Sequence, residues 1–242
     1  NRSVGITLGA FGRYGSGTFL YGTMAVSRVP FTKVSLKLPA MCERHGVTLE
    51  YYPVVFAGLL NHWGQLGPAE IPSKARHTAK QCMRYAKLNG ITYKGPKHHP
   101  FNPLTSLRVS TLEVAGSDQA RVIECLYSLG WEQGGDLGND DEIVRALDAA
   151  NLDGARLVAD SKAQAVKQAL RANTDTAIEK DVFGVPTMLI DDQLFWGIDQ
   201  MEYLDLYLQG KDPIKGMKLD TLGQRGATAW RSGIRNLNNP DG

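Results

Sequence analysis

Cysteine is scarce in this chain of 242 residues, which contains Cys42, Cys82 and Cys125 and no C-x-x-C pair. Three widely spaced cysteines do not form the disulfide framework of a small secreted domain, and they lack the spacing of a zinc site. We therefore expect a reduced, cytoplasmic protein without a signal peptide or a bound metal ion. In such a protein the cysteines serve as small apolar residues within helices.

Long hydrophobic runs and a charge excess are also lacking. No apolar stretch approaches the roughly 20 residues that a membrane-spanning helix requires. The 27 basic and 25 acidic residues leave a formal net charge of +2, which is too small to predict nucleic-acid binding. With 43% hydrophobic and 21% charged residues, the composition is typical of a globular protein. We expect neither a nucleic acid nor a membrane as a partner.

Acidic residues are absent before Glu43, and glycine is frequent near the N-terminus. The segment 18–26 is the candidate strand in residues 1–34, although Gly22 weakens it. The G-S-G of residues 15–17 lacks the strand, the third glycine and the Lys-Ser/Thr pair of a phosphate-binding loop. No phosphate site is predicted there.

From residue 35 the pattern predicts a helix and then a strand. Ser35 is the expected N-cap of a helix over residues 35–46, Pro39 is expected in its first turn, and Gly46 ends it. Residues 47–56 are rich in β-branched and aromatic side chains and predict a strand. Residues 62–73 predict a loop, and residues 74–88 predict a helix.

A second irregular stretch spans residues 95–103 and carries His98, His99 and Asn102, which we expect to be solvated loop residues. Helices are then predicted over residues 104–115, 118–129, 140–150 and 163–180, with a short one near Ala155.

Near the C-terminus the pattern returns to strands. The segment T-M-L-I after Pro186, the pair Asp191-Asp192 and the segment Q-L-F-W-G predict a hairpin, and residues 199–208 predict the closing helix.

This element order predicts an α/β protein with a thioredoxin-like fold and an inserted all-helical domain. The thioredoxin-like domain is expected to comprise residues 1–60 and 180–210, and the helical insertion residues 61–179. Residues 211–242 are expected to form a C-terminal extension.

Two features near the hairpin point to a binding site. If the Val185-Pro186 bond is cis, the N–H and C=O of Val185 face outward and can pair with an extended peptide. Asp199 is expected to cap the last helix, where it can accept from a ligand ammonium while helix N–H groups bind a carboxylate. The alternatives are a proline that merely starts a strand and an ordinary capping aspartate.

Four segments together resemble the 2-hydroxychromene-2-carboxylate isomerases, which belong with kappa-class glutathione transferases in the DsbA-like branch of the thioredoxin fold. The most specific segment is residues 179–204, with V-F-G-V-P-T, an apolar strand and then W-G-x-D. The others are S-L-K-L-P-A-M-C-E-R-H-G at 35–46, G-Q-L-G-P-A-E-I-P-S-K at 64–74 and H-P-F-N-P-L-T-S-L-R at 99–108.

The resemblance implies that glutathione lies along the sheet edge, with its cysteinyl backbone on Val185 before a cis Pro186. It places the γ-glutamyl head at Asp199 and its neighbours Trp196 and Gln200. Gln65 stands where the family usually has a loop asparagine. A small aromatic substrate and a homodimer are implied as well.

The sequence departs from the family at the serine that holds glutathione as a thiolate in an S-P-[FY]-S-Y-L motif. A gap-free alignment puts Arg28 at that position, and a slip of one residue puts Ser27 there, which is our candidate for the catalytic serine. Three functions follow: a glutathione-dependent cis-trans isomerase of an aromatic-degradation intermediate, a kappa-like glutathione transferase, or a catalytically impaired glutathione-binding relative.

Overall fold

Strands and helices make up most of the computed structural model, which describes residues 18–22 and 28–219, with side chains from Lys37 onward. The strands are β1 Thr18–Gly22, β2 Leu49–Pro53, β3 Thr187–Ile190 and β4 Gln193–Trp196. The helices are α1 Arg28–His45, α2 Phe56–Trp63, α3 Pro72–Leu88, α4 Leu104–Val109, α5 Leu112–Ala115, α6 Gln119–Tyr127, α7 Asp140–Ala149, α8 Gly154–Asp160, α9 Gln164–Glu179 and α10 Met201–Leu208.

The four strands form one sheet in the order β2-β1-β3-β4. β1 runs parallel to β2, with Gly22 opposite Pro53, and antiparallel to β3, with Tyr21 opposite Thr187. The ends of β1 and β2 therefore lie beside the start of β3. We call this the Pro186 end of the sheet, and the opposite end, where β3 turns into β4, the Asp191 end.

Alternating side chains of β3 fill the two faces of the sheet, as the period of a strand requires. Met188 and Ile190 pack with residues of α1 and α10, among them Leu38 and Leu204. Leu189 points to the other face and packs with residues of α2 and α9: Leu59 and Ala177. The sheet is thus covered by helices on both sides, which is the thioredoxin-like arrangement that the sequence predicts.

The helices between β2 and β3 build a second core. Leu126, Ile143 and Leu147 are fully buried in it, and Tyr51 and Val55 from the β2 region pack against its side. This helical part therefore lies directly on β2. The proposed division of the chain at residues 61 and 179 remains a prediction.

The C-terminal hairpin is confirmed, because β3 pairs antiparallel with β4 across a turn at Asp191, whose φ is +51°. The predicted helix at 74–88 is confirmed as α3. The predicted strand within 18–26 appears as β1 over its first five residues.

Two predictions near the N-terminal half are wrong. Helix α1 does not begin at Ser35 but at Arg28, so Pro39 lies inside the helix and not in its first turn. The missing N–H of Pro39 removes one helical hydrogen bond without ending the helix. Helix α2 begins at the last residue of the predicted strand 47–56 and ends within the predicted loop 62–73, because the strand ends earlier, at Pro53.

None of the helices in the described ranges combines the length and the apolar character needed to cross a bilayer.

Candidate functional site

The peptide bond between Val185 and Pro186 is cis and lies directly before β3. The Pro186 carbonyl accepts a hydrogen bond from the Gly197 N–H at 2.9 Å, which ends the pairing toward β4. Within the described part of the chain, neither the N–H nor the C=O of Val185 has a hydrogen-bond partner. An extended peptide can therefore pair with this residue as an added strand.

Side-chain hydrogen bonds fix the loop that carries Val185. The Thr187 hydroxyl donates to the Gly184 carbonyl at 2.7 Å, and the Trp63 indole N–H donates to the Val182 carbonyl at 2.9 Å. Val185 as a whole is only 8% exposed, and its side chain is held in the core on the α2 and α9 face of the sheet. The loop is therefore held from both sides.

Trp196 provides an exposed aromatic surface beside this loop. Its side chain is 49% exposed, and its ring meets that of Phe183 at a centroid distance of 5.1 Å. The indole lies against Gly184, where a Cβ would come within 2.8 Å of the Trp196 Cε2 atom. A glycine at position 184 is thus required for the indole to lie so close to the Val185 backbone.

Asp199 lies in a single helical turn, Ile198–Gln200, that precedes α10. Gly197, at φ +92° and ψ 165°, introduces this turn, and its Cα lies close to the exposed Asp199 carboxylate. The prediction that Asp199 caps the last helix is wrong, because Gln200 is the N-cap of α10 and makes no side-chain capping bond. The first N–H groups of α10 therefore have no side-chain acceptor, and the Gln200 amide donates only a long bond of 3.4 Å to Asp199.

Gln65 lies in the segment after α2 and is exposed. Its N–H donates to the Leu60 carbonyl at 2.9 Å, behind Gly64 at φ +62°. Trp63, two residues earlier, contacts the loop at Val182, so this segment runs beside the loop before Pro186. No side-chain bond joins Gln65 to Asp199, Gln200 or Trp196 within residues 37–219.

Ser27, the candidate catalytic serine, lies outside the described residues. The structure begins again at Arg28, the first residue of α1.

The thiols do not belong to this site. Burial raises the pKa of Cys42 to about 12, and burial followed by the charge of Glu124 raises that of Cys125 to about 11. Cys82 is buried, and none of the three cysteines forms a disulfide with another described residue. Because the thiolate is the reactive form, these cysteines are poor nucleophiles.

The two histidines of the loop 95–103 have different neighbours and do not act together. His98 lies 3.7 Å from the Asp136 carboxylate, and the His99 ring lies 5.8 Å from that of Trp131. No cluster of three metal-ligating side chains is found among the residues that the structure describes.

Sequence analysis missed Trp63 and Phe183 as residues that shape the site. The spacing of Phe56, Leu59 and Trp63 before Gly64 is typical of a short amphipathic helix with a glycine stop, and it could have revealed α2. No signal in the sequence pairs Trp63 with Val182, which is 119 residues away.

The fold and the cis proline define the class of protein. Residues 30–209 match the DSBA-like thioredoxin domain family. The chain therefore belongs to the DsbA-like thioredoxin family, as the resemblance indicated.

Two curated relatives within this family are enzymes. The chain is 28% identical over 184 residues to 2-hydroxychromene-2-carboxylate isomerase of Sphingobium xenophagum, covering 74% of this chain and 92% of that protein. It is 27% identical over 185 residues to glutathione S-transferase kappa 2 of Caenorhabditis elegans, covering 69% of this chain and 80% of that protein. A solved 2-hydroxychromene-2-carboxylate isomerase has the same fold, with a TM-score of 0.70 at 20% identity over 80% of this chain and 94% of that one.

Proposed function

We propose that this protein is a glutathione-dependent cis-trans isomerase of an aromatic-degradation intermediate such as 2-hydroxychromene-2-carboxylate. The observation that carries the proposal is the backbone of Val185, which lies before the cis Pro186 and has no hydrogen-bond partner among the described residues, beside the exposed indole of Trp196. The curated relative named as an isomerase supports the reaction, and the relative named as a kappa glutathione transferase supports the cofactor.

The residues present fit glutathione. The Val185 N–H and C=O offer one donor and one acceptor to the cysteinyl backbone of the tripeptide, as in an antiparallel strand pair. The exposed Asp199 carboxylate offers an acceptor for the γ-glutamyl ammonium, and the uncapped start of α10 offers N–H donors for its carboxylate. Gln200 and Gln65 are proposed as further polar contacts around these groups.

When bound, glutathione supplies a thiol that can add reversibly to a conjugated double bond and so allow rotation about it. The residues of this chain hold and orient the tripeptide and the substrate. Val185 and Asp199 fix the tripeptide at two points, and Trp196 offers an apolar surface on which an aromatic ring can stack. The role of Ser27 as the residue that stabilises the thiolate remains a proposal.

The absorbance change on isomerisation of 2-hydroxychromene-2-carboxylate tests this function. We expect turnover that requires glutathione, with the amount of free thiol unchanged at the end. Asp199→Asn should raise the glutathione concentration needed for half-maximal rate by about tenfold or more. Asp192→Asn, an equal change at an exposed carboxylate in the hairpin turn, should leave it unchanged. Equal rates with and without glutathione contradict the proposal.

A kappa-like glutathione transferase is the second candidate. The specific observation in its favour is that the identity to the kappa transferase, 27%, almost equals the 28% to the isomerase. Loss of free thiol in the presence of 1-chloro-2,4-dinitrobenzene identifies the transferase. Glutathione binding without either activity identifies the impaired relative, which is the outcome that the missing serine motif favours.

A further inference from the structure

Helix α4 carries an arginine among its buried residues. Ser106, Leu107 and Val109 are at most 1% exposed. Arg108 lies between them, is half-buried, and has its Nε atom fully shielded from solvent. The Nε side of the Arg108 guanidinium is thus shielded from solvent next to core residues of the helical part.

The Arg108 guanidinium has no protein partner in the described part of the chain. Its buried Nε–H has no acceptor, and it forms no ion pair, whereas Arg121 and Arg156 each pair with an aspartate. Arg145 also lacks a partner, but it is exposed and water can satisfy it. A half-buried cation without a counter-charge is costly, and an anionic ligand removes that cost.

The position of α4 connects Arg108 with the site. The Gln119 Nε2 donates to the carbonyl of Ser110, directly after α4, at 2.9 Å and to the carbonyl of Tyr51 in β2 at 3.0 Å. Two residues after Tyr51, β2 ends at Pro53, at the Pro186 end of the sheet. The end of α4 is therefore joined through Gln119 to the middle of β2, two residues before the end of that strand.

We propose that Arg108 binds the carboxylate of the substrate and makes the protein selective for conjugated aromatic acids over their neutral analogues. The guanidinium presents N–H donors in a planar fork that matches a carboxylate, and charge-assisted bonds of this kind are strong. That the substrate is aromatic is taken from the proposed function, on which this part of the inference rests. The recognition of a carboxylate rests on Arg108 alone.

Calorimetric titration with 2-naphthoate and 2-naphthamide, with and without reduced glutathione, tests this role without any turnover. We expect the wild-type protein to prefer the carboxylate over the amide by about tenfold or more. Arg108→Gln should abolish the preference, and Arg108→Lys should keep only part of it, because an ammonium lacks the planar fork. Arg145→Gln, which removes an equal charge from an exposed site, should retain the full preference.

Equal affinity for the two probes in the wild-type protein, including the absence of binding to both, overturns the proposal. So does an undiminished preference in folded Arg108→Gln or, if that variant does not fold, in Arg108→Lys. A preference that depends on Arg108 in a protein that does not isomerise 2-hydroxychromene-2-carboxylate supports Arg108 as an acid-binding residue and refutes only the reaction proposed above.

Discussion

The two ends of the sheet differ in how their polar groups are used. At the Asp191 end, one Asp205 oxygen accepts from both Arg44 and His45 at 2.8 Å, and the Tyr207 hydroxyl donates to Asp191 at 2.9 Å. At the Pro186 end, the Val185 backbone has no hydrogen-bond partner among the residues that the structure describes, and α10 begins without a side-chain cap. Polar groups join α1, α10 and the hairpin at one end and stay open at the other.

This difference separates stability from binding. The Asp205 cluster connects residues 160 positions apart in sequence, so it contributes to holding α10 against α1. Among the described residues, Asp199 makes a single long side-chain bond, to its neighbour Gln200, so its carboxylate is expected to contribute little to folding and to be available to a ligand. Substitutions of Asp199 and of Asp205 should therefore have opposite consequences.

The largest expected effect is that of Gly197→Ala at the Pro186 end. Gly197 has φ +92° and ψ 165°, a conformation that is nearly confined to glycine, and its Cβ would lie 2.6 Å from the Asp199 Oδ1. We expect a loss of about 2–3 kcal/mol in the free energy of unfolding, measured by urea denaturation, and weaker glutathione binding.

Gly90→Ala is the matched control for this variant. Gly90 also has a positive φ, +65°, but nothing lies within 4 Å of its added Cβ. Gly90→Ala should lower the free energy of unfolding by only about 1 kcal/mol and should bind glutathione as the wild type does. Equal effects of the two substitutions contradict a special role of the turn at Gly197.

At the Asp191 end, Asp205→Asn should lower the free energy of unfolding by about 1 kcal/mol near neutral pH. Burial, the largest influence, raises the pKa of Asp205, but the hydrogen bonds and charges of His45 and Arg44 outweigh it and lower the pKa below 3.8. A carboxyl with a depressed pKa in the folded state stabilises the protein above its unfolded pKa, and this contribution disappears as the pH falls through the folded pKa.

Urea denaturation of the wild type and of Asp205→Asn from neutral to acidic pH checks this. The two stabilities should converge as the pH falls below 3.8. A difference that stays constant over this range means that the Asp205 charge does not stabilise the fold.

The smallest expected effect concerns the thiols, which belong to neither end. Because their thiolate forms are rare, Cys42 and Cys125 should react with 5,5′-dithiobis(2-nitrobenzoate) at pH about 8 at least 100-fold more slowly in the native protein than in urea. Cys82, which is also buried, should react with the reagent equally slowly. One thiol that reacts at the rate of a free cysteine would point to disulfide chemistry and against the isomerase proposal.

Local signals in the sequence were sufficient for much of the fold. The strand T-M-L-I, the turn Asp191-Asp192 and the following strand are encoded by neighbouring residues, and they appear as predicted. The helix α2 and the start of α1 were not predicted, because Pro39 and the aromatic segment 51–56 carry local preferences that tertiary packing overrides.

Only the part of the site that lies within one continuous stretch of sequence could be predicted. Pro186 and Asp199 lie within one continuous motif, so a pattern of residues was enough to single them out. The contact of Trp63 with Val182 and the link from Ser110 through Gln119 to β2 depend on packing between elements far apart in sequence. No local pattern encodes such contacts, and only the folded chain reveals them.

Calorimetric titration with reduced glutathione at neutral pH tests the central claim most directly, using the wild type, Asp199→Ala and Asp205→Ala. We predict that the wild type binds, that Asp199→Ala binds about tenfold or more weakly at unchanged melting temperature, and that Asp205→Ala binds normally but melts earlier. No binding by the wild type, or equal binding by Asp199→Ala, would contradict the account of the Pro186 end as a glutathione site.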